Sequence, residues 1–444
     1  MHTRRYNILS CDGGPGPLTI TRCLLAIEQK NPGFIQATDL FVGSSFGAFM
    51  AVYLALHMKQ VDDGEWTGVE LLQNCETFIA ESIRHFLPED VIEAWVQFLL
   101  GEGPLSDAKR LDAYMRREDN YGDAPLGALA RRLVVHAGRM NAPWTPRVYD
   151  SAVTADKALP CADVALSSGA IPLYFPIRGV EVDGALSTNS PTMVGLVRAM
   201  TGGHASVPPV PQEAIRILAL GSDSGSSKLA NLLWPPGRVL PEMEVPAPGT
   251  APAPPAPSPF QDIVRDMEAL QAKALTAREV VRASFEEVKK RVEARGVTLG
   301  ETARQIAEGA CNQVEQGAAA ALALIPRPDR TSTTLGWGWP PWLAVPTSPI
   351  FVIQVLLTGE ALGVSQQASW LLGDRALRLA PTALVETNGM ALLLALGLYD
   401  LANDAASLTA KLWAITEPPI VVDYLGFTPS FTDVAAWVTS NWLA

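Results

Sequence analysis

The sequence predicts an α/β fold with a mainly parallel central sheet, and three observations carry that reading. Tyr6 to Ser10 reads as a buried strand that runs into the Gly/Pro turn Asp12-Gly13-Gly14-Pro15-Gly16-Pro17 and continues as a helix from Leu18 to Lys30. The same order recurs where the apolar strand Leu40-Phe41-Val42 passes through Gly43-Ser44-Ser45-Phe46-Gly47 into a helical run from Ala48 to His57. Further strands follow at Arg132-Val135, Arg147-Tyr149 and Ile215-Leu220. Strands alternating with helices, rather than with two-residue turns, favour parallel pairing through crossovers. Between the second unit and the later strands, Val69 to Met115 is helical, with Leu71, Leu72, Cys75, Phe78 and Ile79 near one face.

The second half is less regular. From Val245 to Phe260 proline alternates with small residues, a composition that favours extended chain over a packed core and marks a linker or exposed loop. Asp262 to Arg295 then reads as a long amphipathic helix or helix pair, with Val281, Phe285, Val288 and Val292 on one stripe, as expected of a helix packed on its own domain. The Trp-rich turn Trp337-Gly338-Trp339-Pro340-Pro341-Trp342 suits either a membrane interface or a rigid loop capped by aromatics.

Composition narrows the function. Of 444 residues, 48% are hydrophobic and 18% charged, and the formal net charge of -12 disfavours nucleic acid as a partner, because phosphate binding needs a basic face. The five cysteines are scattered and never form Cys-x-x-Cys, so neither a zinc site nor a disulfide framework is indicated, and a reducing, cytoplasmic setting is the simpler expectation. The N-terminus enters a strand without a signal-like stretch, and no uncharged apolar run is long enough to span a bilayer. Oligomeric state is not legible.

Gly43-Ser44-Ser45-Phe46-Gly47 has the context of a nucleophile elbow, in which a tight strand-to-helix turn projects the central serine and flanking glycines remove colliding side chains. A serine nucleophile needs a base. The five histidines are His2, His57, His85, His136 and His204, and none follows Ser45 in a strand-end loop with a preceding acid; His57 and His136 read as structural. A different partner stands at Glu181-Val182-Asp183-Gly184-Ala185, where Asp-Gly at a strand end can aim a carboxylate into the serine's cleft. Taken by itself Asp-Gly is a turn signal. The Asp12 to Gly16 turn lacks the Lys-Ser/Thr of a P-loop and the full dinucleotide fingerprint, so a nucleotide site is the weakest reading.

Asp12-Gly13-Gly14, Gly43-x-Ser45-x-Gly47, Ser167-Ser168-Gly169-Ala170-Ile171-Pro172 and Asp183-Gly184-Ala185 occur in that order, and in this the chain resembles the patatin-like phospholipases. Pro125-Leu126-Gly127, Leu220-Gly221 and, in the C-terminal part, Gly373 to Leu379 extend the resemblance. It implies a three-layer α/β/α fold, with residues 1–225 as catalytic core, 226–348 as a Pro-rich and helical insertion, and 349–444 as the returning C-terminal part. It also implies a lipid acyl hydrolase of phospholipase A type with Ser45 as nucleophile and Asp183 as general base, without metal or cofactor. The oxyanion donors would be the amides of Gly13, Gly14, Gly16 and Phe46. The implied partner is an acyl-ester lipid, reached through peripheral membrane contact, with Val61 to Asp123 and the Trp-rich turn as acyl groove and lid. The chain departs from the family's Asp-Gly-Gly-Gly-x-Arg/Lys-Gly at Pro15, which has no N–H to donate, and at Pro17, which replaces the basic residue. One lost oxyanion donor costs on the order of a hundredfold in rate. Pro15 therefore favours the alternative of a catalytically weakened domain that binds lipid or protein under regulation.

Overall fold

The computed structural model describes residues 4–14, 17–106, 108–143, 145–172, 174–202, 207–221, 259–298, 363–379 and 431–443. The expected domain limits at 225/226 and 348/349, the Pro-rich stretch before residue 259, the Trp-rich turn, Pro15 and Gly16 lie outside the described residues.

β1 (Tyr6–Cys11) leads to α1 (Pro17–Lys30), and β2 (Leu40–Gly43) leads to α2 (Phe46–Asp62). The helical stretch that follows is three helices rather than one: α3 (Gly68–Phe86), α4 (Val91–Leu100) and α5 (Ala108–Met115). Each interruption has a local cause. Thr67 and Glu70 form a reciprocal capping box at the start of α3, and Asp90 caps α4 through the Glu93 amide. Gly101, in the left-handed region at φ 73°, ends α4.

β3 (Arg132–Arg139), β4 (Arg147–Asp150), α6 (Cys161–Ser168), β5 (Glu181–Val182), α7 (Thr192–Thr201) and β6 (Ile215–Leu220) complete the first half. After them come α8 (Pro259–Ala294), a helix over 363–372, β7 (Ala376–Leu379) and a helix from Phe431 to Trp437. The main path of the sheet runs β4-β3-β2-β1-β6-β7, with β5 paired to β3 off it. β1 pairs parallel with β2 and β6, as do β2 with β3 and β6 with β7. β4 and β5 are antiparallel to β3.

The central strands are buried on both faces, and alternate residues feed two cores. Ile8, Val42, Val134 and Ile217 face α7, whose Leu196 and Ala199 join them. Leu9, Phe41, Val135 and Leu218 face the layer built from α1, α2, α3, α5 and α6, closed by Val434, Val438 and Trp442. This is the three-layer α/β/α arrangement expected, with one layer thicker than the other. The stripe on α8 packs within the same chain: Val288 and Val292 are buried against Val96 of α4, and Phe285 meets Trp95 with ring centroids 5.8 Å apart.

Among the described residues, no helix is long and apolar enough to cross a membrane. Cys11, Cys23, Cys75 and Cys161 are buried free thiols.

Candidate active site

Backbone geometry at the end of β2 explains the spacing of Gly43, Ser45 and Gly47. Ser45 sits at φ 53° and ψ -126°, and it is the non-glycine residue with positive φ among the described residues. L-residues disfavour that region, so the surroundings must enforce it. The chain reverses so tightly that a Cβ on Gly43 would lie 2.4 Å from the Gly47 carbonyl oxygen. One on Gly47 would lie 2.3 Å from the carbonyl oxygen of Cys11. Both clashes are with backbone, which cannot rotate away. Neither position therefore admits a side chain.

The strained turn is also pinned from outside. The Ser45 amide donates to Ser168 Oγ at 2.9 Å, and that hydroxyl donates to the His136 carbonyl oxygen at 2.7 Å. Ser168 thus links the elbow to β3. Gly169 follows it because the Phe49 ring of α2 occupies the place where a Cβ would stand, 2.6 Å from Phe49 Cζ.

Ser45 Oγ donates to Asp183 Oδ2 at 2.7 Å. The carboxylate is fixed at its other oxygen, where Oδ1 accepts from the Ala185 amide at 2.7 Å. Asp183 caps a single helical turn, Gly184–Leu186, and Gly184 is required because a Cβ there would lie 2.4 Å from the His136 carbonyl oxygen. Asp183 is fully buried, and burial, opposed by its bonds from Ser45 and Ala185, pushes its carboxyl up to about 7.

His136 is structural, as the sequence suggests. It lies buried in β3, its Nε2 sits 2.8 Å from the Thr188 carbonyl oxygen and 3.1 Å from that of Gly184, and burial lowers its pKa. It supports the loop after Asp183 rather than reaching Ser45. His57 packs in the α2 layer, with Nε2 2.7 Å from the Asn120 carbonyl oxygen.

The glycine turn closes the site from β1. A Cβ on Gly13 would fall 3.0 Å from Ser45 Cβ, so the turn rests directly on the serine. The Gly13 amide differs from expectation: it donates to the Asn189 carbonyl oxygen at 3.0 Å and is spent within the fold. Gly14 has φ 116°, a conformation that suits glycine. The Phe46 amide opens α2, at a helix position whose N–H has no partner along the helix. Asp12 is buried and paired with Arg378 of β7. Burial raises the Asp12 carboxyl above the usual carboxylate range, and the guanidinium opposes that.

An aromatic cluster adjoins the elbow through Phe46, the residue after Ser45. Phe46 and Phe86 have centroids 5.6 Å apart, and Phe86 meets Phe175 at 4.8 Å. Phe86 and Tyr174 come from segments far apart in sequence, with centroids 5.5 Å apart. Among the described residues, no group of three or more His, Cys, Asp or Glu side chains could hold a metal ion.

Residues 18–196, which contain the elbow, Ser168 and Asp183, match the family model of the patatin-like phospholipases. Over those residues the chain is similar to a patatin-like phospholipase domain. That family supports lipid acyl hydrolysis as its general chemistry, and the domain's mostly parallel sheet between helices agrees with its fold. A Pseudomonas aeruginosa protein named cGAMP-activated phospholipase is 27% identical over 230 residues, which is 49% of this chain and 62% of that protein. The chain therefore matches less than two thirds of that relative's length. The crystal structure of VipD from Legionella pneumophila is similar over 52% of this chain and 53% of its own, at 13% identity and a TM-score of 0.26, a likeness too slight to carry weight.

Three contributors to the site have contacts that the sequence motifs do not reveal. Arg378 is 366 residues from Asp12, and the carbonyl of Asn189 is invisible to side-chain reasoning. Ser168 had a signal, the Ser-Ser-Gly-Ala segment, but that segment does not reveal the bond to the Ser45 amide.

Proposed function

We propose that this protein hydrolyses acyl esters of lipids, of phospholipid or related glycerolipid type, through an acyl-Ser45 intermediate with Asp183 as its base. The observation that carries the reading is the 2.7 Å hydrogen bond from Ser45 Oγ to a buried carboxylate, made by a serine held at positive φ. A carboxylate raised to about 7 is a far better proton acceptor for a hydroxyl than an ordinary aspartate. Asp183 takes the Ser45 proton as Oγ attacks the ester carbonyl, and passes it to the leaving alcohol as the tetrahedral intermediate collapses. Water, activated by the same carboxylate, then releases the fatty acid.

The amides of Gly14 and Phe46 are the donors assigned to the oxyanion, and the Gly13 amide is not, because Asn189 occupies it. The rings of Phe46, Phe86, Tyr174 and Phe175 form one wall for the acyl chain, and of these Phe86 falls in the Val61 to Asp123 segment from which the groove was expected.

Lipid would approach beside the Asp183 strand. Met140, Ile177, Val180 and Leu186 are each about half exposed, and the Met140 amide donates to the Val180 carbonyl oxygen at 2.8 Å, which brings two of them side by side. The name of the Pseudomonas relative adds a regulatory proposal, that cGAMP raises the activity of this chain too. Unchanged rates on adding it would remove that proposal alone.

The direct test compares hydrolysis of a chromogenic short-chain ester by the wild type, Ser45→Ala and Asp183→Ala. Loss of turnover in both variants supports the dyad. Equal background rates in all three proteins would remove the enzyme reading and leave a domain that binds without catalysing.

A further inference from the structure

We propose that Arg378 is a positioning residue for acyl transfer: from β7 it holds the oxyanion-binding glycine turn and the loop after Asp183 in a common register. This inference rests on the Ser45–Asp183 reading.

The guanidinium reaches both parts. Its Nη2 pairs with Asp12 Oδ2, and its Nη1 lies 3.4 Å from Ser190 Oγ. Asp12 immediately precedes Gly13, and Ser190 immediately follows Asn189. The residues between those two grips are joined directly, by the Gly13 amide donating to the Asn189 carbonyl oxygen at 3.0 Å. Arg378 therefore closes a ring that contains the glycine turn on one side and the Asp183 loop on the other. Ser190 Oγ continues the network at 3.0 Å to Thr192 Oγ1, itself 3.0 Å from Ser10 Oγ on β1.

The neighbouring backbone is shaped around this pair. The Asp12 amide donates to the Leu220 carbonyl oxygen at 2.8 Å, and the Gly221 amide to that of Leu379 at 2.9 Å, which ties the turn to β6 and β6 to β7. A Cβ on Gly221 would fall 2.4 Å from Arg378 Nη2 and 2.6 Å from Asp12 Oδ2. The Leu220-Gly221 step leaves room for the ion pair.

Position and chemistry both point inward. The Arg378 side chain is 7% exposed and that of Asp12 2%, too enclosed for contact with a lipid headgroup. The turn has no cation of its own between Asp12 and Leu18, so the charge balancing its carboxylate comes from across the sheet. Removing one member of a buried pair strands the other, which then protonates or swings toward water. Because Gly13 rests on Ser45 Cβ, any such swing displaces the Gly14 amide relative to the reacting oxygen, and shifts of about 1 Å are enough to cost rate.

A strand anchor with no part in the reaction would give the same static contacts, so the test separates the two. Turnover of a soluble chromogenic ester, affinity for a trifluoromethyl ketone that forms a tetrahedral adduct, and thermal stability are measured for wild type, Arg378→Gln, Arg378→Lys and Leu377→Ala. Leu377 lies on the same strand and is partly buried against the core. We expect Arg378→Gln to lower kcat on the order of 100-fold, with KM changed by less than about threefold and ketone affinity falling with kcat/KM. Arg378→Lys should recover part of the rate, since an ammonium can still neutralise Asp12. Leu377→Ala should lose stability while keeping kcat.

Undiminished kcat in a folded Arg378→Gln overturns the inference alone, as does equal loss of kcat in Leu377→Ala at matched stability. If the Gln variant does not fold, Arg378→Lys decides: reduced kcat with weakened ketone binding supports positioning, and unchanged values refute it. A wild type that neither turns over nor reacts at Ser45 overturns the dyad and this inference together.

Discussion

The two halves of the site are built in opposite ways. The elbow spans five residues, Gly43 to Gly47, and backbone forbids a side chain at both glycines: that of the elbow and α2 at Gly43, and that of Cys11 and Asp12 at the end of β1 at Gly47. The glycine turn takes its position from residues remote in sequence: Leu220, Asn189 and Arg378. The geometry of Ser45 is thus set by close backbone contact between the β2–α2 connection and the adjoining end of β1. Oxyanion geometry is a tertiary property that depends on β6, β7 and the loop before α7. Damage at the elbow should act through strain in the backbone, whereas damage to the turn should arrive from far away.

The largest effect tests the shared element between these halves. Asp183→Asn should lower kcat by about 10⁴-fold, because the amide keeps the geometry and loses the base. The same substitution should stabilise the fold. The Asp183 carboxyl rises from an ordinary 3.8 to about 7, so below about pH 4 both folded and unfolded states carry the proton and no penalty applies. Between those values the folded state retains a proton the unfolded chain has released, and stability falls as pH rises. Above about pH 7 the full cost, of order 4 kcal/mol, is present, and asparagine removes it. Thermal unfolding at pH 5 and pH 8 should show a wild-type loss at the higher pH that the variant lacks. The activity profile should mirror this, with wild-type kcat/KM rising through about pH 7 as the base ionises.

Gly47→Ala comes next and addresses the claim that close backbone contact sets the elbow. Its new methyl meets two carbonyl oxygens, those of Cys11 and Asp12 at 2.3 and 2.4 Å, so a stability loss of about 3 kcal/mol or more is expected. A soluble variant with wild-type melting temperature would break the comparison. Ser168→Ala sharpens it, since Ser168 supplies the side-chain acceptor that holds the Ser45 amide. Removing the acceptor leaves the buried Ser45 amide unpaired at a cost of about 1–3 kcal/mol, with a smaller rate loss than at Asp183.

The smallest effect concerns neither half. Met140→Ser with Val180→Ser should slow hydrolysis of lipid in vesicles severalfold while leaving a soluble ester untouched. Equal rates on both substrates would place lipid entry elsewhere.

Legibility followed the same division. The elbow could be read from Gly-x-Ser-x-Gly because backbone contact excludes a side chain at both of its glycines, and Asp183 from Asp-Gly at a strand end because Gly184 faces the His136 carbonyl. Parallel pairing was readable from strand–turn–helix repetition in the first sixty residues. The break of the Val69 to Met115 stretch into three helices depends on caps at Thr67, Asp90 and Gly101, which hydrophobic periodicity does not register. The Gly13 amide could not be assigned from its motif, because the acceptor that consumes it is a backbone carbonyl at position 189. Arg378 was hidden by distance: an arginine in an apolar strand announces a partner, and nothing in its neighbourhood says that the partner is Asp12.

The central claim is that Ser45 carries the acyl group during turnover. Rapid acid quench of the protein during hydrolysis of a medium-chain ester, followed by peptide mass spectrometry, tests it most directly. The account predicts a single acyl adduct on the peptide containing Gly43 to Gly47, absent in Ser45→Ala, which should also be inactive. Continued hydrolysis by Ser45→Ala, or an adduct on any other residue that persists in that variant, would contradict it.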